Sequence, residues 1–239
     1  MCETCGCSDD AVVHHEGHSH TVVLEQDVLA KNDHLAGHTR QRLRDQDVFA
    51  INLMSSPGAG KTTLLEHTVR ALGDELPFAV VEGDQETQLD ASRIKATGAP
   101  VVQINTGAGC HLDATMLDNA LDTLAVVPGS VLFVENVGNL VCPALFDLGE
   151  AARVVILSVT EGPGKPLKYP HMFASTDLVL LNKIDLLPYV DFDVAEFNHD
   201  LGHVNPRARV LELSATRGDG LDSWYSWLRA RLPLRPALS

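Results

Sequence analysis

Basic residues are in short supply in this chain: 18 Lys and Arg face 32 Asp and Glu, for a formal charge of −14. Such a field repels a nucleic-acid phosphate backbone unless a basic patch is concentrated somewhere, and none is visible, so nucleic acid is not an expected partner. Long hydrophobic runs are absent too. Hydrophobic residues make up 45% of the chain, enough for a packed core, yet no run can span a bilayer, and no membrane association is expected. The opening Met1-Cys2-Glu3-Thr4-Cys5 is acidic and thiol-bearing where a signal peptide would be basic and then apolar, which points to the cytoplasm. Cysteine is limited to five, and in that compartment five thiols read as metal ligands rather than disulfides. No internal repeat is visible. A length of 239 residues suits one α/β domain with an appendage better than two full domains.

What the chain does contain is organised around Ser55-Ser56-Pro57-Gly58-Ala59-Gly60-Lys61-Thr62-Thr63. An apolar run, Val48 to Met54, precedes it, and Leu64 to Leu72 follows with apolar residues at helical spacing. Strand, glycine-rich turn and helix together are the context that a phosphate-binding P-loop requires. The turn aims backbone N–H groups inward beside a helix N-terminus, which makes an anion site. Gly58, Ala59, Gly60, Lys61, Thr62 and Thr63 are expected to hold the phosphates, with Lys61 on the β- and γ-phosphates and the Thr62 hydroxyl on Mg²⁺. Ser55 stands where the first glycine of the general pattern sits.

The segments that follow read as an open, mostly parallel sheet with helices on both faces, a Rossmann-like three-layer P-loop fold. Pro77 to Asp84 is a strand ending in a carboxylate, and carboxylates at strand C-termini face the ligand crevice, so Asp84 is a Mg²⁺ candidate, directly or through water. Asp90, on a helix expected over Gln85 to Ala96, either orients water, binds the metal or is simply solvated. After the strand Pro100 to Asn105, a glycine-rich turn delivers Cys110 and His111 just before a helix over Asp113 to Ala125. The strand Val131 to Glu135 leads into Glu135-Asn136-Val137-Gly138, the acid-x-x-Gly form that lies opposite the P-loop in many NTPases. There Glu135 would hold Mg²⁺ through water and the Gly138 N–H would sense the γ-phosphate. Cys142 follows. Cys110, His111 and Cys142 thus come just after two strands expected to be neighbours, and offer three ligands, one short of a tetrahedral site that water or a symmetry mate completes. The alternative is two core cysteines and a capping histidine. Thr160 to Pro170 reads as a surface loop carrying Lys165 and Lys168.

Leu178 to Leu181 followed by Asn182-Lys183-Ile184-Asp185 is the guanine-reading element. The Asp185 carboxylate accepts from guanine N1 and N2, and adenine offers neither donor, so GTP is favoured over ATP. Asn182 would tie this loop to the P-loop, the Lys183 stem would cover the base, and Ser214-Ala215 would donate backbone N–H to the guanine O6. A closing helix from Gly220 to Leu232 is expected to bury Trp224, Trp227 and Leu228.

Upstream, residues 1–20 form a tail with Cys2, Cys5 and Cys7, then His14, His15, His18 and His20, with almost no apolar material to fold around. Thiolates and imidazoles suit Ni, Zn or Cu(I) rather than Mg or Ca. The histidine tract alone is equally well read as a tail that picks up stray metal. Residues 21–47 read as a helical lead-in with His38, Arg40, Arg42 and Arg44 exposed, and with His34 and His38 one turn apart, and residues 48–239 as the P-loop domain.

With these elements placed, the chain resembles the hydrogenase nickel-incorporation GTPases, the HypB family, over nearly its whole length. The residues that carry the resemblance are Cys2-x-x-Cys5-Gly6-Cys7, Ser55 to Thr63, Asn105-Thr106-Gly107 with Cys110 to Asp113, Glu135 to Pro143, Thr160-Glu161-Gly162 and Asn182 to Asp185. The resemblance implies a P-loop domain that dimerises when GTP binds. It implies slow hydrolysis coupled to delivery of Ni²⁺ to the large subunit of [NiFe]-hydrogenase, with a nickel-delivery partner of the HypA type. It also implies that Cys110, His111 and Cys142 are a metal site at the dimer interface for Ni²⁺ or Zn²⁺, and that Cys2, Cys5 and Cys7 are a tight nickel site. Asp90 then acts in hydrolysis, and Lys168 reaches the nucleotide of the other protomer. The rivals are the related urease nickel GTPase, a nickel buffer with a vestigial nucleotide site, and a housekeeping signalling GTPase with incidental metal binding. The adjacent Cys110-His111 and the three-cysteine tail favour the hydrogenase branch.

Overall fold

The structure, a computed structural model, describes residues 18–84, 89–107 and 109–231. Cys2, Cys5, Cys7, His14 and His15 lie outside the described residues. In chain order the elements are α1 (His18–Asp45), β1 (Phe49–Ser55), α2 (Lys61–Leu72), β2 (Phe78–Asp84), α3 (Leu89–Lys95), β3 (Val101–Asn105), α4 (Ala114–Thr123), β4 (Val131–Glu135), α5 (Cys142–Leu145), β5 (Ala152–Ser158), α6 (Lys165–Lys168), α7 (Pro170–Ala174), β6 (Leu178–Asn182), α8 (Val194–Val204), β7 (Arg209–Glu212) and α9 (Leu221–Arg229).

All seven strands are parallel, in the order β3-β2-β4-β1-β5-β6-β7. A parallel sheet covered on both faces explains why its strands read as continuous apolar runs rather than alternating ones. The alternation of side-chain direction still sorts them: in β1, Ile51 and Leu53 join the core under α2, α3 and α9, while Ala50 and Met54 face the other layer. On the first face Leu64, Leu65 and Leu72 of α2 pack with Trp224, Trp227 and Leu228 of α9. Trp224 is fully buried and its indole N–H donates to the Thr68 hydroxyl at 2.9 Å, so its bulk enters the core with no polar atom stranded. The opposite layer divides into a cluster under α1 and α4 and a second under α7 and α8. β1 lies at the centre, flanked by β4 and β5, and its carboxyl end opens into the crevice between them.

Three sequence expectations change. β3 and β4 are not neighbours, because β2 lies between them. The loop after β3 crosses the end of β2 at Gly83, where a Cβ would stand 2.8 Å from the Leu112 Cγ; a side chain there would close the crossing. Arg40 and Arg42 are half-buried rather than solvated, since Arg40 pairs with Asp147 at 2.6 Å and Arg42 with Asp118 and Asp122 at 2.9 Å each. These pairs dock α1 against α4 and the turn before β5. Finally, the segment 160–170 is less loop than expected. Prolines at the first turn, where a missing N–H costs nothing, start the short helices α6 and α7.

Candidate functional site

The P-loop leaves β1 at Ser55 and enters α2 at Lys61. Lys61 is nearly buried, and its ammonium donates to the Ser55 hydroxyl at 2.8 Å. The serine at the position of the general pattern's first glycine therefore holds the lysine in place. Burial pushes the Lys61 ammonium down from its ordinary value, against the pull of Glu135, Asp90, Glu161 and Glu82. Thr62 donates from its hydroxyl to Glu135 Oε1 at 2.8 Å. The second Glu135 oxygen is buried with no partner among the described residues, and burial raises its carboxyl, with Lys61 and the Thr62 hydroxyl opposing. The acid-x-x-Gly segment lies on the P-loop: a Cβ on Gly138 would stand 2.9 Å from Pro57 Cα, so only glycine allows this approach. Pro57, Lys61, Thr62, Glu135 and Gly138 line a cleft of about 410 Å³ that also takes in Asp84 and Asp90. Asp90 sits in the first turn of α3, paired with Arg93 at 3.2 Å.

On the far side of the P-loop, Asn182 is buried and donates to Ala59 O at 2.8 Å, while its own oxygen accepts from Lys183 N and Ala215 N. Lys183 adopts a left-handed backbone at φ 63° and its ammonium reaches Gly58 O at 2.7 Å. One asparagine thus binds the P-loop, the Asp185 turn and the buried Ser214-Ala215 turn together. Asp185 itself is half-exposed at the start of the segment Ile184–Tyr189. Lys168 stands exposed on α6 with its ammonium 5.7 Å over the Tyr169 ring, away from this chain's own cleft lining.

Cys110, His111 and Cys142 offer ligand atoms that all lie within 4.8 Å of one another, forming the one such group of three among the described residues. Cys110 Sγ is 3.6 Å from His111 Nδ1, and the His111 ring stacks on Phe146 at 3.8 Å. Neither cysteine is in a disulfide, and Cys142 is buried at the start of α5. Burial lowers His111, which favours the neutral imidazole that a metal requires, with Asp113 opposing. Metal–sulfur bonds of about 2.3 Å and metal–nitrogen bonds of about 2.0 Å would draw these atoms slightly closer and leave a fourth position open. His34 and His38, on α1, are exposed with ring centroids 4.7 Å apart and make a pair only.

Three residues of the cleft escape a motif-based reading. Glu82 lies directly across from Glu135 in the β2–β4 register, buried, with one oxygen lacking a partner among the described residues. A charge directly after the apolar run Phe78 to Val81, still within the strand, was the available signal. Arg93 joins Asp90, Glu66 and the Thr63 hydroxyl. Asn136, inside the acid-x-x-Gly segment, accepts from Leu112 N at 3.1 Å. Burial, with Glu135, Asp90 and Asp84 adding repulsion, pushes the Glu82 carboxyl up to about 8. The unfolded chain gives up this proton near 4.5, so between these values the folded state binds more protons and its stability falls as pH rises. Thermal melts of the nucleotide- and metal-free protein from pH 5 to 8 should show that decline, and Glu82→Gln should flatten it. An unchanged slope in the variant rules out Glu82 as its source.

Residues 49–212 match the family model of the CobW/HypB/UreG nucleotide-binding domain. The hydrogenase maturation factor HypB of Rhizobium leguminosarum bv. viciae is 56% identical over 207 residues, 87% of this chain and 69% of that protein. The Escherichia coli K12 HypB is 53% identical, over 93% of this chain and 77% of that protein. Among solved structures, HypB from Archaeoglobus fulgidus superposes with a TM-score of 0.78 at 38% identity, covering 84% of this chain and 98% of that one. HypB from Helicobacter pylori in complex with nickel gives 0.80 at 37%, covering 86% and 99%. No described helix is long and apolar enough to cross a membrane. On its P-loop core, its cysteine–histidine cluster and these similarities, the chain belongs to the CobW/HypB/UreG family of P-loop GTPases, as one of its HypB hydrogenase maturation factors.

Proposed function

We propose that this chain is a GTP-hydrolysing nickel carrier that hands Ni²⁺ to the large subunit of [NiFe]-hydrogenase, receiving it from a partner of the HypA type. The observation that carries the reading is the placement of Cys110, His111 and Cys142, with ligand atoms within 4.8 Å, beside the Glu135-to-Gly138 segment that lies on the P-loop. Nickel is the cargo, and two thiolates with an imidazole suit it or Zn²⁺. The nickel-bound Helicobacter pylori HypB supports the same assignment by similarity.

GTP is read at Asp185, its phosphates lie along Gly58 to Thr63, and Lys61 neutralises the β- and γ-oxygens. The buried, unpartnered oxygens of Glu135 and Glu82 beside the Thr62 hydroxyl fit a divalent cation. Mg²⁺ held by Thr62 and Glu135, with Glu82, Asp84 and Asp90 in the same cleft, would neutralise charge on the transferred phosphate. Asp90 orients the attacking water, and Arg93 holds Asp90. Lys168, exposed on α6, reaches the nucleotide of a second copy when GTP draws two chains together. Cys2, Cys5 and Cys7 of the tail 1–20 form a separate, tighter nickel site.

Nucleotide can move the metal only by changing its affinity between two states. The test is a Ni²⁺ titration of the protein and of a Cys2/Cys5/Cys7→Ala variant, each with GDP and with a non-hydrolysable GTP analogue, while mass is followed. A dimer with the analogue and an affinity at the Cys110 site that differs at least fivefold between nucleotides is expected. Equal affinities at a fixed mass would overturn the carrier reading.

A further inference from the structure

We propose that Asn136 is the positioning residue of the Cys110–His111–Cys142 site, an amide clamp that sets one half of the site against the other and makes their spacing depend on the P-loop. The inference rests on the metal reading above and deepens it. The halves come from different parts of the chain: Cys142 follows the Glu135-to-Gly138 segment, whereas Cys110 and His111 sit on the loop after β3. Sheet order does not bring them together, because β2 separates β3 from β4.

Asn136 spans that gap. It is 1% exposed and each polar atom of its side chain is used. Its Oδ1 accepts from Leu112 N at 3.1 Å, one residue from His111, and from Val137 N at 3.0 Å. Its Nδ2 donates to Asn52 Oδ1 at 3.2 Å, and its main-chain N donates to Leu53 O at 3.0 Å. One side chain therefore joins the P-loop strand, the segment facing the phosphates and the metal loop. Asn52 is braced in turn by Glu150 at 3.4 Å, which holds Arg153 at 2.6 Å.

The metal loop has little freedom to evade this link. Leu112 is fully buried with its side chain seated over Gly83. Two residues on, Ala114 N donates to Asn32 Oδ1 at 3.0 Å, and Asp113 caps α4 by accepting from Met116 N at 2.8 Å. A displacement of the segment toward a γ-phosphate must carry Leu112 with it or break a buried hydrogen bond. With the clamp removed, a movement of the segment is no longer passed to the Cys110–His111 half, and the two halves lose their set spacing. Binding then becomes weaker and insensitive to nucleotide.

The test uses the full chain carrying Cys2/Cys5/Cys7→Ala, so that Ni²⁺ alone reports the remaining site, at saturating GDP or saturating GTP analogue. Asn136→Ala is expected to weaken nickel binding roughly 10–100-fold, as loss of a ligand-orienting group does. It should also bring the affinity ratio between nucleotides within twofold of unity and erase the nucleotide-dependent change in the thiolate-to-nickel absorption band. Asn136→Asp keeps an oxygen for Leu112 N but loses the donor to Asn52 Oδ1, and should recover both in part. Wild-type affinity and ratio in Asn136→Ala would overturn the clamp. So would equal losses in Asn136→Ala and Asn136→Asp that track a lowered melting temperature, which is what a merely structural residue gives. If the parent shows no nucleotide dependence while Asn136→Ala still binds nickel weakly and Asn136→Asp recovers binding in part, the carrier's switch fails and the clamp stands. Should Asn136→Ala fail to fold, Asn52→Ala, which removes the acceptor of Asn136 Nδ2 and leaves the Leu112 bond in place, is tested with the same readouts.

Discussion

Asp185→Asn should reverse the base preference of the protein, with GTP binding weakened by about 10²- to 10⁴-fold and xanthosine triphosphate becoming the better ligand. The guanine edge presents two N–H donors, and a carboxylate accepts both. Hydrogen bonds to a charged group contribute about 1.5–3 kcal/mol each, so losing the pair's complementarity costs about 3–6 kcal/mol. An amide in place of the carboxylate accepts once and donates once, which matches xanthine, where a carbonyl replaces the amino group. The effect should stay in the base and spare the fold, because Asp185 is half-exposed and the turn is held by others. Asn182 binds Ala59 O, Lys183 N and Ala215 N, and Leu186 N donates to Lys183 O at 2.8 Å. Competition of both triphosphates for a fluorescent guanine nucleotide measures the preference. A variant that still selects GTP would remove Asp185 from base recognition.

Lys61→Ala should cut GTP hydrolysis by at least about 100-fold, the cost of deleting one preorganised group that faces developing charge. The loss is more than a missing phosphate contact. Lys61 interacts electrostatically with a set of carboxylates that includes Glu135, Asp90, Glu161 and Glu82. Its removal leaves the facing pair Glu82 and Glu135 without that opposing charge, so the buried carboxyls hold their protons to still higher pH. Whatever hydrolysis survives should therefore show its acid limb displaced upward, and Mg²⁺ should be needed at higher concentration. Single-turnover assays across pH read both effects. Retention of more than a tenth of the parent rate with an unmoved pH profile would sink the phosphate role of Lys61.

Much of this was readable in advance where chemistry demands a fixed residue at a fixed spacing. Gly58 to Thr63 and Asn182 to Asp185 stand out because the proposed phosphate cradle and guanine acceptor leave little choice of side chain. The parallel sheet was readable for a similar reason, since strands buried on both faces must be continuously apolar. What stayed hidden depends on neighbours in space. Glu82 gains its character only from standing opposite Glu135, a register that no local pattern encodes. Sequence order suggested that β3 and β4 are neighbours, whereas β2 intervenes and the loop after β3 crosses its end at Gly83 to reach Cys142. Arg40 and Arg42 look like surface charge on a helix, and only their acidic partners Asp147, Asp118 and Asp122, more than seventy residues away, draw them inward.

The sheet stops on both sides at short strands, five residues in β3 and four in β7. An open sheet margin is a template on which another chain can zip, and long, flat, apolar margins nucleate fibres. Here Arg209 and Glu212 stand exposed on β7, Pro206 precedes it, and Pro100 stands directly before β3, which ends in Asn105. A second copy finds no long apolar margin to extend at either side, so copies of this chain are expected to meet through helices and loops. The hazard of ordered aggregation then falls mainly in the interval of synthesis before these two outer strands have docked.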